Sequence, residues 1–317
     1  MNPIHSLWRP QSHCGSGCLP GPGETPTVSV PRRAGRLAAL FGTLLLGAAL
    51  VAVLPVLPRS GRHAAGRGWA RTVLWALGIG LVVHGRLPGR RVLLVANHIS
   101  WLDVVTVLSV TPARMLAKHE VRRWPLIGPL AAVGGAIFVD RTRPRTLPAT
   151  VARVATALRA GGMVAVFPEG TTWCGVPRVG AGCSSAGRFR PAMFQAAIDA
   201  EALIVPVNLG YRVDPRRAGL RDGGTGGGTG GGTRGGGTTA PAFLAEENLW
   251  ASVRRVLAVR GLVVSLTVTG PLRIDDAADR RWLAGVAESA VRAVRSPVGP
   301  SGTSGPPPRS GSLELAA

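Results

Sequence analysis

From Arg91 onward, short β-branched and apolar runs alternate with stretches of helical character, and this alternation limits what the chain can become. Strands are expected at 92–97, 113–118, 136–140, 163–168, 203–211 and 262–270. Helices are expected through 108, in the 120s, and at 147–159, 191–200, 243–259 and 276–294. Runs of four to nine apolar residues fit buried strands, and longer periodic stretches fit helices. Strands alternating with helices imply an α/β domain built on a mixed, largely parallel sheet flanked by helices. Hydrophobic residues make up 46% of the 317, enough for a sizeable core.

A different feature precedes this domain. Residues 37–58 carry no charge, and a helix of that length reaches across a hydrocarbon core. Arginines flank the run on both sides (Arg32, Arg33 and Arg36; Arg59, Arg62 and Arg67), which leaves charge asymmetry nearly silent on its orientation. The run and its leader are both too long for an ordinary cleaved signal peptide. A second apolar stretch, 69–83, broken only by Arg71, suits an interfacial helix, the second arm of a hairpin or a core helix. The expected organisation is a disordered leader at 1–35, membrane-associated helices at 36–85, an α/β domain at 86–295 and a disordered tail at 296–317. A Gly/Thr-rich segment at 219–240 offers nothing to bury and is expected as a flexible insertion.

The formal charge is +21, and Lys118 is the only lysine, so the excess is arginine. Such a balance suits an anionic membrane face or an acidic carrier protein. It is also the signature of an Ala/Gly/Arg-rich composition with no specific partner. Nucleic acid is not expected, since the arginines are dispersed and form no aromatic-interleaved motif. The four cysteines, Cys14, Cys18, Cys174 and Cys183, are too few for a disulfide scaffold. Cys14-x3-Cys18, with His13 beside it, lies in a Pro/Gly-rich leader lacking a second ligand pair, so no metal site is expected.

Candidate chemistry sits where strands end. Asn97-His98-Ile99-Ser100-Trp101-Leu102-Asp103 follows the first buried strand, and ligands of open α/β sheets bind beyond the carboxyl ends of strands. An offset of five residues is about 140° around a helix, so His98 and Asp103 cannot meet on one continuous helix. His98 must occupy a loop or first turn, with Asp103 reaching back. A carboxylate on one imidazole nitrogen fixes the tautomer and leaves the other free to take a proton. Phe167-Pro168-Glu169-Gly170-Thr171-Thr172 follows another buried strand, and Gly135-Ala136-Ile137-Phe138-Val139-Asp140-Arg141 ends a third with an arginine whose fork suits a phosphate. Each block also has a structural reading: a capping Asn97, a surface ion pair between Arg141 and Asp140, a turn carboxylate at Glu169.

In this order and spacing the blocks resemble the glycerolipid acyltransferase family, which includes the lysophosphatidate (1-acylglycerol-3-phosphate) acyltransferases. The motif N-H-x-S-x-x-D is matched by Asn97, His98, Ser100 and Asp103. G-x-I-F-I-x-R is matched by Gly135, Ile137, Phe138 and Arg141, and F-P-E-G-T by Phe167 to Thr171. An apolar strand with a central proline is matched by Ile204 to Val207, and Lys118, Trp124-Pro125 and Gly128 resemble a further Lys…Pro…Gly stretch. The resemblance covers about 92–211. Two departures stand out: Thr172 replaces the usual Arg or Ser, and Phe189-Arg190-Pro191-Ala192 replaces F-K-x-G.

The resemblance implies an O-acyltransferase that forms phosphatidate in phospholipid biosynthesis. His98 and Asp103 would be catalytic, and Asn97, Ser100, Lys118, Arg141, Glu169, Gly170 and Thr171 would bind substrate. No cofactor is implied beyond the co-substrate, acyl-CoA or acyl carrier protein. The expected partners are a lysophospholipid acceptor, that thioester donor and an anionic membrane. The expected location is the plasma membrane, with the catalytic domain facing the cytoplasm. Three further readings stay open: an acceptor such as lyso-ornithine lipid, a lipid hydrolase using the same pair on water, and a non-enzymatic lipid-binding protein.

Overall fold

A computed structural model describes residues 10–176, 183–184, 186–219, 237–244, 247–274 and 279–294. Seven strands form one sheet: β1 (Gly80–His84), β2 (Val92–Ala96), β3 (Arg114–Lys118), β4 (Ile137–Val139), β5 (Met163–Val166), β6 (Leu203–Val213) and β7 (Leu262–Val268). Their order is β1-β7-β6-β2-β5-β3-β4. The five strands from β6 to β4 run parallel, while β7 is antiparallel to β6 and β1 is parallel to β7. The mixed, largely parallel sheet expected from the sequence is therefore present.

Strand β2 is buried along its length, as a central strand with helices on both faces must be. Alternate side chains point to opposite faces. Leu93 and Val95 join a core with helices α5 (Leu147–Arg159), α6 (Ala192–Asp199) and α9 (Arg280–Ala293) through Leu158, Phe194 and Leu283. Val92, Leu94 and Ala96 face the other side, against Val107 of α3 (Leu102–Val110); α4 (Ile127–Val133), α7 (Pro215–Ala218) and α8 (Leu249–Ala258) are the other α-helices among the described residues besides the N-terminal pair.

The apolar run forms α1 (Val30–Val53), which a single 3-10 turn extends to Val56. This segment is long and apolar enough to cross a membrane. It begins seven residues before the uncharged run, because Arg32, Arg33 and Arg36 belong to its first turns. Helix α2 (Arg59–Ala76) folds back along it, and the Trp69 indole donates to Thr43 O at 2.8 Å. The hairpin is built into the domain. Arg36 donates to the carbonyls of Leu257 and Val259 at 2.9 and 2.8 Å, and Arg71 donates to Ser109 O at 2.9 Å. Leu40, Val73, Leu74 and Leu77 share a core cluster with Leu102, Val256 and Leu262. Phe41, Leu45, Leu46 and Trp75 remain exposed.

Three expectations need correction. Helix α2 stops at Ala76, and residues 80–84, assigned to membrane-associated helices, form the edge strand β1, registered with Gly80 opposite Val263. The leader expected as disordered is packed from residue 10 onward: Val28 N donates to Ala258 O, Arg260 N donates to Pro26 O, and Cys14 and Cys18 are buried. The far end of the Gly/Thr-rich insertion is likewise engaged, with Thr238 N donating to Tyr211 O at 2.8 Å. Residues 1–9, most of the insertion (220–236) and the tail from 295 lie outside the described residues.

Because Leu77 is 1% exposed and sits where α2 meets the domain core, Leu77→Ala is expected to lower the unfolding free energy by about 2–5 kcal/mol. Denaturant titration checks this, and a loss below about 1 kcal/mol would show that the hairpin rests only loosely on the domain.

Candidate active site

Strand register assembles the site. Val95 of β2 lies opposite Val166 of β5, so His98 and Glu169, each three residues further on, emerge side by side at the carboxyl edge of the sheet. Lys118 pairs with Val139, which brings Arg141 to the same edge two residues later. Residues 97–101 precede α3, and Asp103 sits in its first turn, where a helix N-terminus favours a carboxylate. His98 Nδ1 lies 2.8 Å from Asp103 Oδ2, the reach-back geometry that the five-residue spacing demands.

Asp103 has no solvent exposure, and donors compensate its burial. Oδ2 also accepts the N–H groups of Ile99 and Ser100, at 2.6 and 2.8 Å, and Oδ1 accepts the Tyr211 hydroxyl at 2.5 Å. Burial, reinforced by the Asp103 charge, raises the Tyr211 pKa well above its ordinary value, which keeps it protonated as a donor. A carboxylate so held accepts the Nδ1–H tautomer of His98 and leaves Nε2 for a substrate proton. The Phe167 ring stacks on the imidazole, 4.1 Å between centroids and 7° from parallel, fixing its plane.

Glu169 is 3% exposed. Its Oε2 accepts His98 N–H at 2.6 Å and its Oε1 accepts Gly187 N–H at 3.1 Å. Helix α9 braces the same loop: Glu288 accepts Phe189 N–H at 2.7 Å, and Arg292 pairs with Glu288 and donates to Gly187 O. Gly187 lies so close to Trp173 that a Cβ there would fall 2.4 Å from the indole nitrogen. With the N–H groups of residues 98–100 already engaged by Glu169 and Asp103, they are not available to a developing oxyanion.

The other expected residues divide. Asn97 exchanges two hydrogen bonds with the Leu209 main chain, and Ser100 is fully buried with its Oγ accepting Leu102 N–H. Both hold the loop together. Gly170 adopts φ +77°, a left-handed conformation that favours glycine, and its carbonyl accepts from the Arg141 guanidinium. Arg141 does not pair with Asp140, which faces Thr142 and Arg143. Desolvation and then the charge of Arg190 lower the Arg141 pKa; desolvation and then Arg141 lower that of Lys118. These three cations crowd one corner. Thr171 is half-buried beside them, while the Thr172 hydroxyl donates to Phe243 O.

A cavity of about 750 Å³ opens beside His98, lined by Glu169, Trp173, Arg188, Tyr211, Thr238 and Arg292 among others. Lys118 and Arg141 do not line it, so the basic corner flanks His98 on another side. Sequence reasoning missed Tyr211, Arg188 and Arg292. A signal existed for Tyr211, the chain's only tyrosine, set in an apolar strand where a buried hydroxyl needs a partner. Arg188 and Arg292 carry no motif.

The family model described as Acyltransferase matches residues 80–210. The lyso-ornithine lipid O-acyltransferase of Pseudomonas aeruginosa is 30% identical over 264 residues, 81% of this chain and 91% of that protein. The chain belongs to the glycerolipid acyltransferase family. The 1-acyl-sn-glycerol-3-phosphate acyltransferase of Neisseria meningitidis serogroup B is 36% identical over 143 residues, and the lyso-ornithine lipid O-acyltransferase of Rhizobium meliloti is 39% identical over 141. Those matches take in 44% and 42% of this chain, and 53% and 48% of the relatives, so the chain spans about half the length of each. A crystal structure of the 1-acyl-sn-glycerophosphate (LPA) acyltransferase of Thermotoga maritima superposes with a TM-score of 0.54, covering 83% of this chain and 95% of that one. At 16% identity it speaks for the fold of this family member.

Burial pushes the Glu169 carboxyl up to about 8 from its ordinary 4.5, against the lowering effect of the two N–H groups. Between those values the folded chain holds a proton that the unfolded chain has released, so this group's contribution to stability falls as pH rises through the window. Glu169→Gln is expected to remove that slope while costing about 1–3 kcal/mol, because its NH2 must face one of the two N–H donors. Urea unfolding at about pH 5 and pH 8 checks both, and identical pH slopes for wild type and variant would contradict the raised carboxyl.

Proposed function

We propose that this family member moves a fatty acyl chain from a thioester, acyl-CoA or acyl carrier protein, to the free hydroxyl of 1-acylglycerol-3-phosphate, forming phosphatidate. The observation that carries this reading is a half-buried His98 held by the buried Asp103 at the mouth of a cavity, beside a corner holding Lys118, Arg141 and Arg190. His98 Nε2 takes the proton from the acceptor hydroxyl as its oxygen bonds to the thioester carbonyl carbon. The tetrahedral intermediate then expels the thiolate, which recovers the proton from His98. The products are the new ester and a free thiol. General-base assistance of this kind is worth about 10²–10⁴-fold in rate. The acceptor is itself the nucleophile, so no acyl-enzyme is needed. The Cys174 thiol faces other sulfurs and the Val176 carbonyl, away from such a role.

Three close cations provide the electrostatics for a phosphate monoester, and the Arg141 fork provides the geometry. A second reading, acylation of lyso-ornithine lipid, is favoured by one observation: the relative matched along 91% of its length bears that name. That head group carries a carboxylate and an ammonium in place of a phosphate dianion.

The protein works at an anionic membrane in this account. The face of α1 bearing Phe41, Leu45 and Leu46 is free to enter lipid, and Arg32, Arg36, Arg217 and Arg260 line a cleft with Trp75, a pairing suited to an interface. Arg62 and Arg67 on α2 make it a poor spanning helix, so the hairpin is read as dipping into the leaflet that the domain faces. The domain then lies on the cytoplasmic side of the plasma membrane, where thioester donors are made.

His98→Ala is expected to cut turnover at least about 10²-fold in folded, membrane-bound protein. Arg141→Ala is expected to raise the KM for lysophosphatidate strongly and the donor KM little, with Arg141→Lys recovering part of the loss. The checks are initial rates with lysophosphatidate and lyso-ornithine lipid, products read by mass. An Arg141→Ala variant that keeps its lysophosphatidate KM, or a wild type acylating only lyso-ornithine lipid, would overturn the phosphate assignment.

A further inference from the structure

All four cysteines of the chain meet at one point. Cys14 and Cys18 come from the segment before α1, and Cys174 and Cys183 from the loop that follows Glu169, about half the chain away. Their Sγ atoms all lie within 4.8 Å of one another, with Cys18–Cys183 and Cys174–Cys183 both at 3.3 Å. A tetrahedral ion with Zn–S bonds of about 2.3 Å requires sulfur–sulfur edges of about 3.8 Å, inside this spread. Cys14, Cys18 and Cys174 are buried, and no disulfide joins any of the four. The Cys174 N–H points at Cys14 Sγ from 3.4 Å, the kind of outer hydrogen bond that steadies a thiolate ligand.

The absence of a metal was expected because the leader pair lacked a second pair; the fold supplies it. Cys14-x3-Cys18 has the spacing of a zinc-binding turn, closed here by the 3-10 turn Ser16–Cys18. Cys14, Cys18 and Cys174 sit in the core cluster with Ile99, Trp173 and Leu244, and Cys183 packs against it, so the fold itself brings the four thiols together. We infer that Cys14, Cys18, Cys174 and Cys183 bind one zinc ion as a tetrathiolate. Four soft sulfur donors favour zinc over magnesium or calcium, and a closed four-ligand shell makes the site structural. Binding converts four thiols to thiolates and releases their protons to solvent. The ion would clamp the leader to the cavity wall: Trp173 and Gly175 flank Cys174, and Gly187, just beyond Cys183, holds Glu169.

Elemental analysis of the full-length protein, purified without chelator, tests this directly. About one zinc per chain is expected, falling below about a tenth in both Cys18→Ser and Cys174→Ser. A mercurial titrated into wild type should release that zinc as the four thiols are consumed, a readout that does not depend on the variants folding. Cobalt exchanged into the site should give intense thiolate-to-metal absorption. Wild type without zinc even after reconstitution, zinc retained in full by both variants, stoichiometric iron in its place, or a Cys18–Cys183 disulfide in peptide mapping would each overturn the assignment.

Discussion

A carboxylate sealed from water must be met by donors that the fold brings to it, and Asp103 is met by four: an imidazole, two main-chain N–H groups and a phenol. They come from the loop after β2 and from Tyr211 on β6, so the parallel pairing of β2 with β6 has to be right before the site exists. Burying the charge is costly unless every lone pair is used. Once used, the same contacts fix the imidazole, and the sheet's register sets where the free Nε2 of His98 is presented.

The rest of the structure reads as braces on that loop. Glu169 holds the His98 main chain from the neighbouring strand, Gly187 holds Glu169, and Glu288 and Arg292 on α9 hold the loop around Gly187. On the opposite face, the α1–α2 hairpin shares its core with Ile99 and Leu102. The segment apolar enough to enter a membrane and the loop that carries His98 therefore share one core.

Much of this was legible because it was local. Each of the six short apolar runs from residue 92 onward became a strand, and the three motif blocks fell at strand ends where register unites them. What escaped depends on distant pairing. Residues 80–84 follow an apolar helix with no break in composition, and become a strand only because β7, some 180 residues later, pairs with them. The leader reads as unstructured by its Pro and Gly content, yet Val28 and the buried Cys14 and Cys18 anchor it to segments that no local pattern could reveal. Glu169 and Ser100 carried motif identity but not exposure. Glu169 still lines the cavity, and burial makes it and Ser100 hydrogen-bonded supports of the loop that carries His98.

The central claim about the molecule is that Asp103 acts as a charge that orients His98. Asn at this position keeps an oxygen for the N–H groups of Ile99 and Ser100 and for His98 Nδ1–H, so the fold should survive, but the imidazole loses the counter-charge that stabilises its protonated form. The decisive measurement is kcat for lysolipid acylation by Asp103→Asn, on protein whose unfolding midpoint matches wild type. A fall of about 10²–10⁴-fold is predicted; turnover within about tenfold of wild type would contradict the claim.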